Sequence, residues 1–260
     1  MRVVVLPDPE SVAVFASLEI ARQVISNPRS VLGLATGGTP LGAYRQLIDL
    51  HREKGFSFSN VTTFNLDEYV GLSPDQPESY RFFMNANLFQ HLDIPMEQTH
   101  VPRGDARDLR SECEKYELKL EIAGGIDIQL LGVGTDGHIG FNEPGSSLAS
   151  RTRIKSLTES TRRDNTRFFS CPNDVPSTAI TMGVGTILDA KRILLLATGR
   201  SKAEAIQAAI EGPITSFVPA SALQLHADVT IVIDSDAASL LIYQEYYVRS
   251  EAERNRLGIE

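Results

Sequence analysis

The chain has 260 residues, 42% of them hydrophobic and 22% charged, with a formal net charge of -8. That size and balance fit a single α/β domain over 1–260 and exclude a disordered, fibrous or coiled-coil chain. The acidic balance excludes generic attraction to nucleic acid, so an anionic ligand must be held by a local group of positive charges.

The first eight residues carry a short apolar run broken by Pro7 and Asp8, too brief for a signal peptide. No later run reaches the roughly eighteen apolar residues of a spanning helix. The two cysteines, Cys113 and Cys171, are too few for a disulfide framework and lack metal-type spacing. The expectation is a cytoplasmic protein with free thiols and no membrane or nucleic-acid partner.

In chain order, strands are expected over 3–6, 30–34, 61–65, 127–132, 192–198 and 229–234, each short and apolar. Helices are expected over 9–26, 40–53, 79–91, 108–123, 201–211 and 235–247. The charged residues 249–260 are read as a solvated tail or packing arm. The alternation implies an open, mostly parallel, doubly wound sheet flanked by helices, Rossmann-like in plan. In such a sheet ligands bind beyond the carboxyl ends of the strands, where loops enter helices.

The first such loop is Ala35-Thr36-Gly37-Gly38-Thr39-Pro40. Thr36, Gly37, Gly38 and Thr39 offer backbone N–H groups at a helix start, a cradle for phosphate, with Pro40 suited to the first helical position. The loop lacks the Lys-Ser/Thr of a nucleotide P-loop and the dinucleotide spacing. A tight turn with no ligand is the plain alternative.

Asp67 and Glu68 follow the strand over 61–65, and one of them can serve as a general base. The most informative stretch is Gly132-Val133-Gly134-Thr135-Asp136-Gly137-His138-Ile139-Gly140-Phe141-Asn142-Glu143-Pro144-Gly145. Asp136 can orient His138, and Glu143 can complete a proton relay. A metal site from the same three groups is disfavoured, because no second His or Cys stands at ligand spacing. Arg151, Arg153, Lys155, Arg162, Arg163 and Arg167 then follow, a basic concentration suited to an anion. In the loop Ala197-Thr198-Gly199-Arg200-Ser201-Lys202, Ser201 can cap a helix and Lys202 can reach a phosphate.

Four segments in this order, TGGTP (36–40), NLDEYVGL (65–72), GVGTDGHIGFNEPGSSLASRTR (132–153) and GVGTILDA (183–190), resemble the glucosamine-6-phosphate deaminase family. The likeness runs from about residue 31 to residue 226. The Phe141-Asn142-Glu143-Pro144 continuation separates it from the 6-phosphogluconolactonases, which share the Asp-Gly-His but continue differently.

The resemblance implies an isomerising hydrolase that turns glucosamine 6-phosphate into fructose 6-phosphate and ammonia in amino-sugar catabolism, with no cofactor and no metal. It implies that Asp67 moves a proton between C2 and C1 and that His138, tuned by Asp136 and Glu143, opens the ring. Thr36 to Thr39, Arg167 and Lys202 would hold the phosphate. Some members are hexamers activated by N-acetylglucosamine 6-phosphate at a subunit interface; Ser146, Arg153 and Lys155 match residues of that allosteric site, which raises a homo-oligomer as an expectation. Two rivals stand beside this one: a lactonase on the same fold, needing no C2 base, and a sugar-phosphate sensor, which would need a DNA-reading head that the sequence does not show.

Overall fold

The computed structural model describes residues 1–259. β1 (Arg2–Leu6) leads into α1 (Pro9–Ser26), which starts where the Asp8 carboxylate accepts the Ser11 N–H at 2.7 Å. β2 (Val31–Leu34), α2 (Leu41–Lys54), β3 (Thr62–Asn65), β4 (Asp67–Tyr69) and α3 (Tyr80–Asn87) follow. Next come β5 (Thr99–His100), α4 (Leu109–Ile122), β6 (Ile128–Leu131), β7 (Arg153–Ser156), α5 (Glu159–Asn165) and β8 (Thr178–Thr181). The chain closes with α6 (Val184–Leu188), β9 (Arg192–Ala197), α7 (Ala203–Ile210), β10 (Val229–Asp234) and α8 (Gln244–Leu257).

Seven strands form one sheet in the order β1-β10-β9-β6-β2-β3-β5, every pair parallel. Both faces are apolar because side chains alternate between two cores. Ile193, Leu195, Ile231 and Ile233 pack with Tyr116 of α4 and Ile206 of α7, while Leu194, Leu196 and Val232 pack with Ile20 of α1 and Leu47 of α2. Each such side chain, fully buried, contributes about 1.5–3 kcal/mol, so the two cores fix the sheet that carries the site loops.

From β2 the chain steps outward through β3 to β5, then returns to the other side of β2 as β6 and continues through β9 to β10. The direction of winding therefore reverses between β2 and β6, and a crevice opens beyond their carboxyl ends.

A second sheet, β4-β8-β7, is antiparallel and was not expected from the sequence. It sets Asp67 opposite Thr181 on one side and Arg153 opposite Thr181 on the other.

The ends of the chain also differ from expectation. Residues 235–240 form turns over the core, where Ala237, Ala238 and Leu241 are buried, and the last helix begins only at Gln244. That helix takes in much of the expected tail and acts as a packing arm, with Glu251 paired to Arg2 of β1. Pro40 is the N-cap of α2 rather than its first residue. Ser201 caps nothing: residues Arg200–Lys202 make a 3-10 turn, and Lys202 is the N-cap of α7. No described helix is long and apolar enough to cross a membrane.

Candidate active site

The crevice holds a cleft of about 720 Å³ lined by loops that follow β2, β3, β6 and β9. Thr36, Gly37, Gly38 and Thr39 form one end of it. Gly37 has φ +94, a conformation that L side chains rarely adopt, and an added Cβ there would meet no atom within 4 Å. The glycine is therefore a requirement of the backbone turn, which leaves open space for an anion above the start of α2.

Asp67 and Glu68, adjacent in sequence, have opposite surroundings. Glu68 is buried and accepts the N–H groups of Tyr69, Tyr80 and Arg81 at 2.8, 3.0 and 3.0 Å and the Ser79 hydroxyl at 2.7 Å. It thereby ties β4 to the start of α3, a structural task. Asp67 lines the cleft, is also buried, and among the described residues has no donor to stabilise its charge. Burial, and then the neighbouring Glu68 charge, push its carboxyl up to about 8. A carboxyl so placed takes up a proton readily, which is what a base acting on carbon needs.

Opposite it, the loop after β6 presents His138. Its Nδ1 lies 2.7 Å from Asp136 Oδ1 and 3.9 Å from Glu143 Oε2, and the His138 N–H donates to Asp136 Oδ1 at 3.2 Å. The short Nδ1 contact is poorly aligned for a hydrogen bond, but its distance makes Asp136 the nearest partner of the ring. Burial pushes Asp136 up, yet the contact and charge of His138 outweigh it and hold Asp136 below the usual carboxylate range. Glu143 is anchored in turn by the Thr158 N–H at 3.1 Å and the Thr158 hydroxyl at 3.4 Å. The imidazole lies against Gly134, where a Cβ would fall 2.2 Å from the ring carbon Cε1. One ligand atom from each of the three lies within 4.8 Å of the others, so the structure brings together the three side chains that the sequence singled out. A cation could be tested for in the same place.

The basic wall comes from two further loops. Arg167, in the 3-10 turn Thr166–Phe168, lines the cleft with its guanidinium over the Phe168 ring, 4.7 Å from the centroid. Burial pulls the Lys202 ammonium below its ordinary value; Asp164 opposes this and Arg167 adds to it, which places Lys202 within electrostatic reach of both. The Lys202 loop is held by Asp234 at the end of β10, whose two oxygens accept the Gly199 N–H at 3.0 and 2.9 Å.

Sequence reasoning missed several lining residues: Arg45 on the first turns of α2, Tyr80, Thr161 and Asp164. Tyr80 stacks on Phe141 at an interplanar angle of 10°. None of these carried a motif signal, since each reaches the cleft through tertiary packing.

Ser146, Arg153 and Lys155 do not line the cleft. The buried Ser146 hydroxyl donates to the Glu143 carbonyl at 2.6 Å, Arg153 donates to the Asn142 side chain at 2.8 Å, and Lys155 is half-buried on β7.

This fold and this site are those of an α/β enzyme whose cleft carries a glycine loop and cations at one end and ionisable side chains at the other. The family model for glucosamine-6-phosphate isomerases/6-phosphogluconolactonase matches residues 10–232, and the chain belongs to that family. A glucosamine-6-phosphate deaminase of Shewanella loihica is 54% identical over 257 residues, 99% of this chain and 96% of that one. One of Thermoanaerobacter pseudethanolicus is 52% identical over 241 residues, 93% and 95% of the two chains.

Among solved structures, a monomeric glucosamine-6-phosphate deaminase matches with a TM-score of 0.91 at 52% identity, over 92% of this chain and 100% of its own. A 6-phosphogluconolactonase from Trypanosoma cruzi, 21% identical with a TM-score of 0.72 over 93% and 97% of the two chains, shares the fold.

Proposed function

We propose that this chain is a glucosamine-6-phosphate deaminase, converting glucosamine 6-phosphate and water into fructose 6-phosphate and ammonia. The observation that carries the reading is the pairing, in one cleft, of a buried carboxyl without donors among the described residues, Asp67, with the separate His138–Asp136–Glu143 group. A lactonase needs one proton-transfer centre; an isomerising deaminase needs two.

The phosphate is bound at Thr36, Gly37, Gly38 and Thr39, with Lys202 and Arg167 neutralising it, and this remote contact orients the reacting end. His138 takes the proton of the anomeric hydroxyl and returns it to the ring oxygen, which opens the ring to the aldehyde. Asp67 then removes the C2 proton; the C–H electrons form the C1–C2 double bond and the aldehyde oxygen is protonated. Return of the proton to C1 leaves an imine at C2, to which water adds. Ammonia leaves from that carbinolamine, and C2 becomes the ketone. The identity of the related deaminases supports the overall reaction, and the burial and contacts of Asp67 and His138 support their parts in it.

The reading carries two further proposals. One is a cytoplasmic place in amino-sugar catabolism, consistent with the free thiols of Cys113 and Cys171. The other is an effector site for an acetylated sugar phosphate at Ser146, Arg153 and Lys155. The test of the main reading is release of ammonia from glucosamine 6-phosphate, coupled to detection of fructose 6-phosphate. Hydrolysis of a phosphogluconolactone with no ammonia release would overturn it in favour of the lactonase.

A further inference from the structure

Asn142 stands between His138 and Glu143 in the chain, is fully buried, and does not line the cleft. Its amide nitrogen donates to the Ile139 carbonyl at 2.9 Å and to the Met182 carbonyl at 2.8 Å. Its backbone N–H donates to the same Ile139 carbonyl at 3.1 Å. Ile139 follows His138 directly, and Met182 follows β8. One side chain thus closes the loop between the two ionisable groups and fastens it to the small sheet.

That fastening depends on the polarity of the amide. Turned by half a revolution, the Asn142 oxygen would face two carbonyl oxygens, and both carbonyls would lose the side-chain N–H that they accept, inside the protein. Arg153 prevents this, because its Nη1 donates to Asn142 Oδ1 at 2.8 Å and a guanidinium has no acceptor. Arg153 is itself positioned by β7, in register with Thr181, whose other neighbour across the sheet is Asp67. The Thr181 hydroxyl also accepts the Phe141 N–H at 3.0 Å, a second tie between the same sheet and the same loop.

We infer that Arg153 and Asn142 form a positioning clamp, in which Arg153 fixes the direction of the Asn142 amide and Asn142 sets the placement of His138 relative to Glu143. Neither residue lines the cleft. The inference rests on the deaminase reading and says which residues outside the cleft its ring-opening step depends on.

The test compares the unaltered chain with Arg153→Met and Arg153→Lys. Arg153 lies on an outer strand of the small sheet and is half-exposed, so both variants should fold, which thermal unfolding will check. In Arg153→Met, kcat for glucosamine 6-phosphate should fall roughly tenfold, a loss of the order produced by slight misplacement of a catalytic group. KM should stay within about twofold, since the cradle is untouched. Binding of the open-chain alcohol 2-amino-2-deoxyglucitol 6-phosphate, measured by calorimetry, should be equal in the two proteins, because it bypasses ring opening. Arg153→Lys, which keeps a donor, should recover most of kcat.

An unchanged kcat in Arg153→Met, equal losses in kcat and in affinity for the open-chain analogue, or a folded Arg153→Lys as impaired as Arg153→Met would each overturn the clamp alone. No ammonia release by the unaltered chain would overturn the deaminase reading and the clamp with it.

Discussion

Asp67 is held at high proton affinity by burial first and by the Glu68 charge second, and its ordinary value of 3.8 moves to about 8. A base must be deprotonated to act, so kcat/KM should climb as pH rises through this region, with an acid limb far above that of an ordinary aspartate. Asp67→Asn should abolish exchange of the substrate's C2 proton with solvent and leave sugar-phosphate binding within about twofold. Continued exchange would remove Asp67 from the role.

The same residue links pH to stability. Folded Asp67 keeps its proton to about 8 while the unfolded residue releases it near 3.8, so its favourable contribution is complete below 3.8 and is lost as pH rises through about 8. Each unit of separation is worth about 1.4 kcal/mol. Asp67→Asn, always neutral, should therefore melt higher than the unaltered chain at about pH 9 and alike at about pH 3.

His138→Gln should lose more rate with the closed ring than with a ring-opened substrate; equal losses would sink the ring-opening assignment. Because the Asp136, His138 and Glu143 atoms lie within 4.8 Å, a chelator is the direct check on metal. Full activity after prolonged chelation is expected, and its loss with recovery on adding a divalent cation would reinstate the metal reading.

At the scale of elements, the loop after β6 is shaped by the imidazole it carries. A Cβ on Gly134 would lie 2.2 Å from His138 Cε1, so Gly134→Ala must displace the ring. The expected result is a fall in kcat of about tenfold or more with KM nearly unchanged, read from steady-state rates. A rise in KM alone would place the glycine in the phosphate cradle's service instead.

Much of this level was legible in the sequence. β2, β6, β9 and β10 are mostly apolar on both faces because helices cover both, and their short, largely apolar runs announce that burial. The Gly-rich loops were legible for a related reason, since close approach and positive φ leave few residue choices. The small sheet was not legible. β4 reads Asp-Glu-Tyr and β7 reads Arg-Ile-Lys-Ser, and neither has an apolar run, because their pairing is decided by register with Thr178–Thr181. The final helix was misplaced because the apolar residues 237–241 resemble a helical face. They instead form a turn that buries Ala237, Ala238 and Leu241, and the true helix, with no buried residue, offers no periodic signal.

At the scale of the whole molecule, a chain of net charge -8 concentrates Arg167, Lys202 and the glycine loop at one reversal of the sheet, the local positive charge that the proposed anionic substrate requires. The proposed effector residues lie elsewhere, on the loop and strand that support His138 and Asp67 from behind. Arg153 uses Nη1 on Asn142 and on the Arg151 carbonyl, and among the described residues its Nη2 and Nε have no acceptor. An anion on that free edge, shared with the half-buried Lys155, would hold the guanidinium in place without displacing Asn142. N-acetylglucosamine 6-phosphate should then raise kcat/KM, and Lys155→Met should lose the response while keeping the basal rate.

The solved relative is monomeric, whereas an effector site shared between subunits would need an assembly. Sedimentation with and without the acetylated sugar phosphate separates these cases. Activation of a species that stays monomeric means that one chain completes the site, and activation that appears only with assembly means that a second copy supplies the rest. A hyperbolic rate curve unaltered by the compound would remove Ser146, Arg153 and Lys155 from regulation and leave Arg153 its place beneath the catalytic loop.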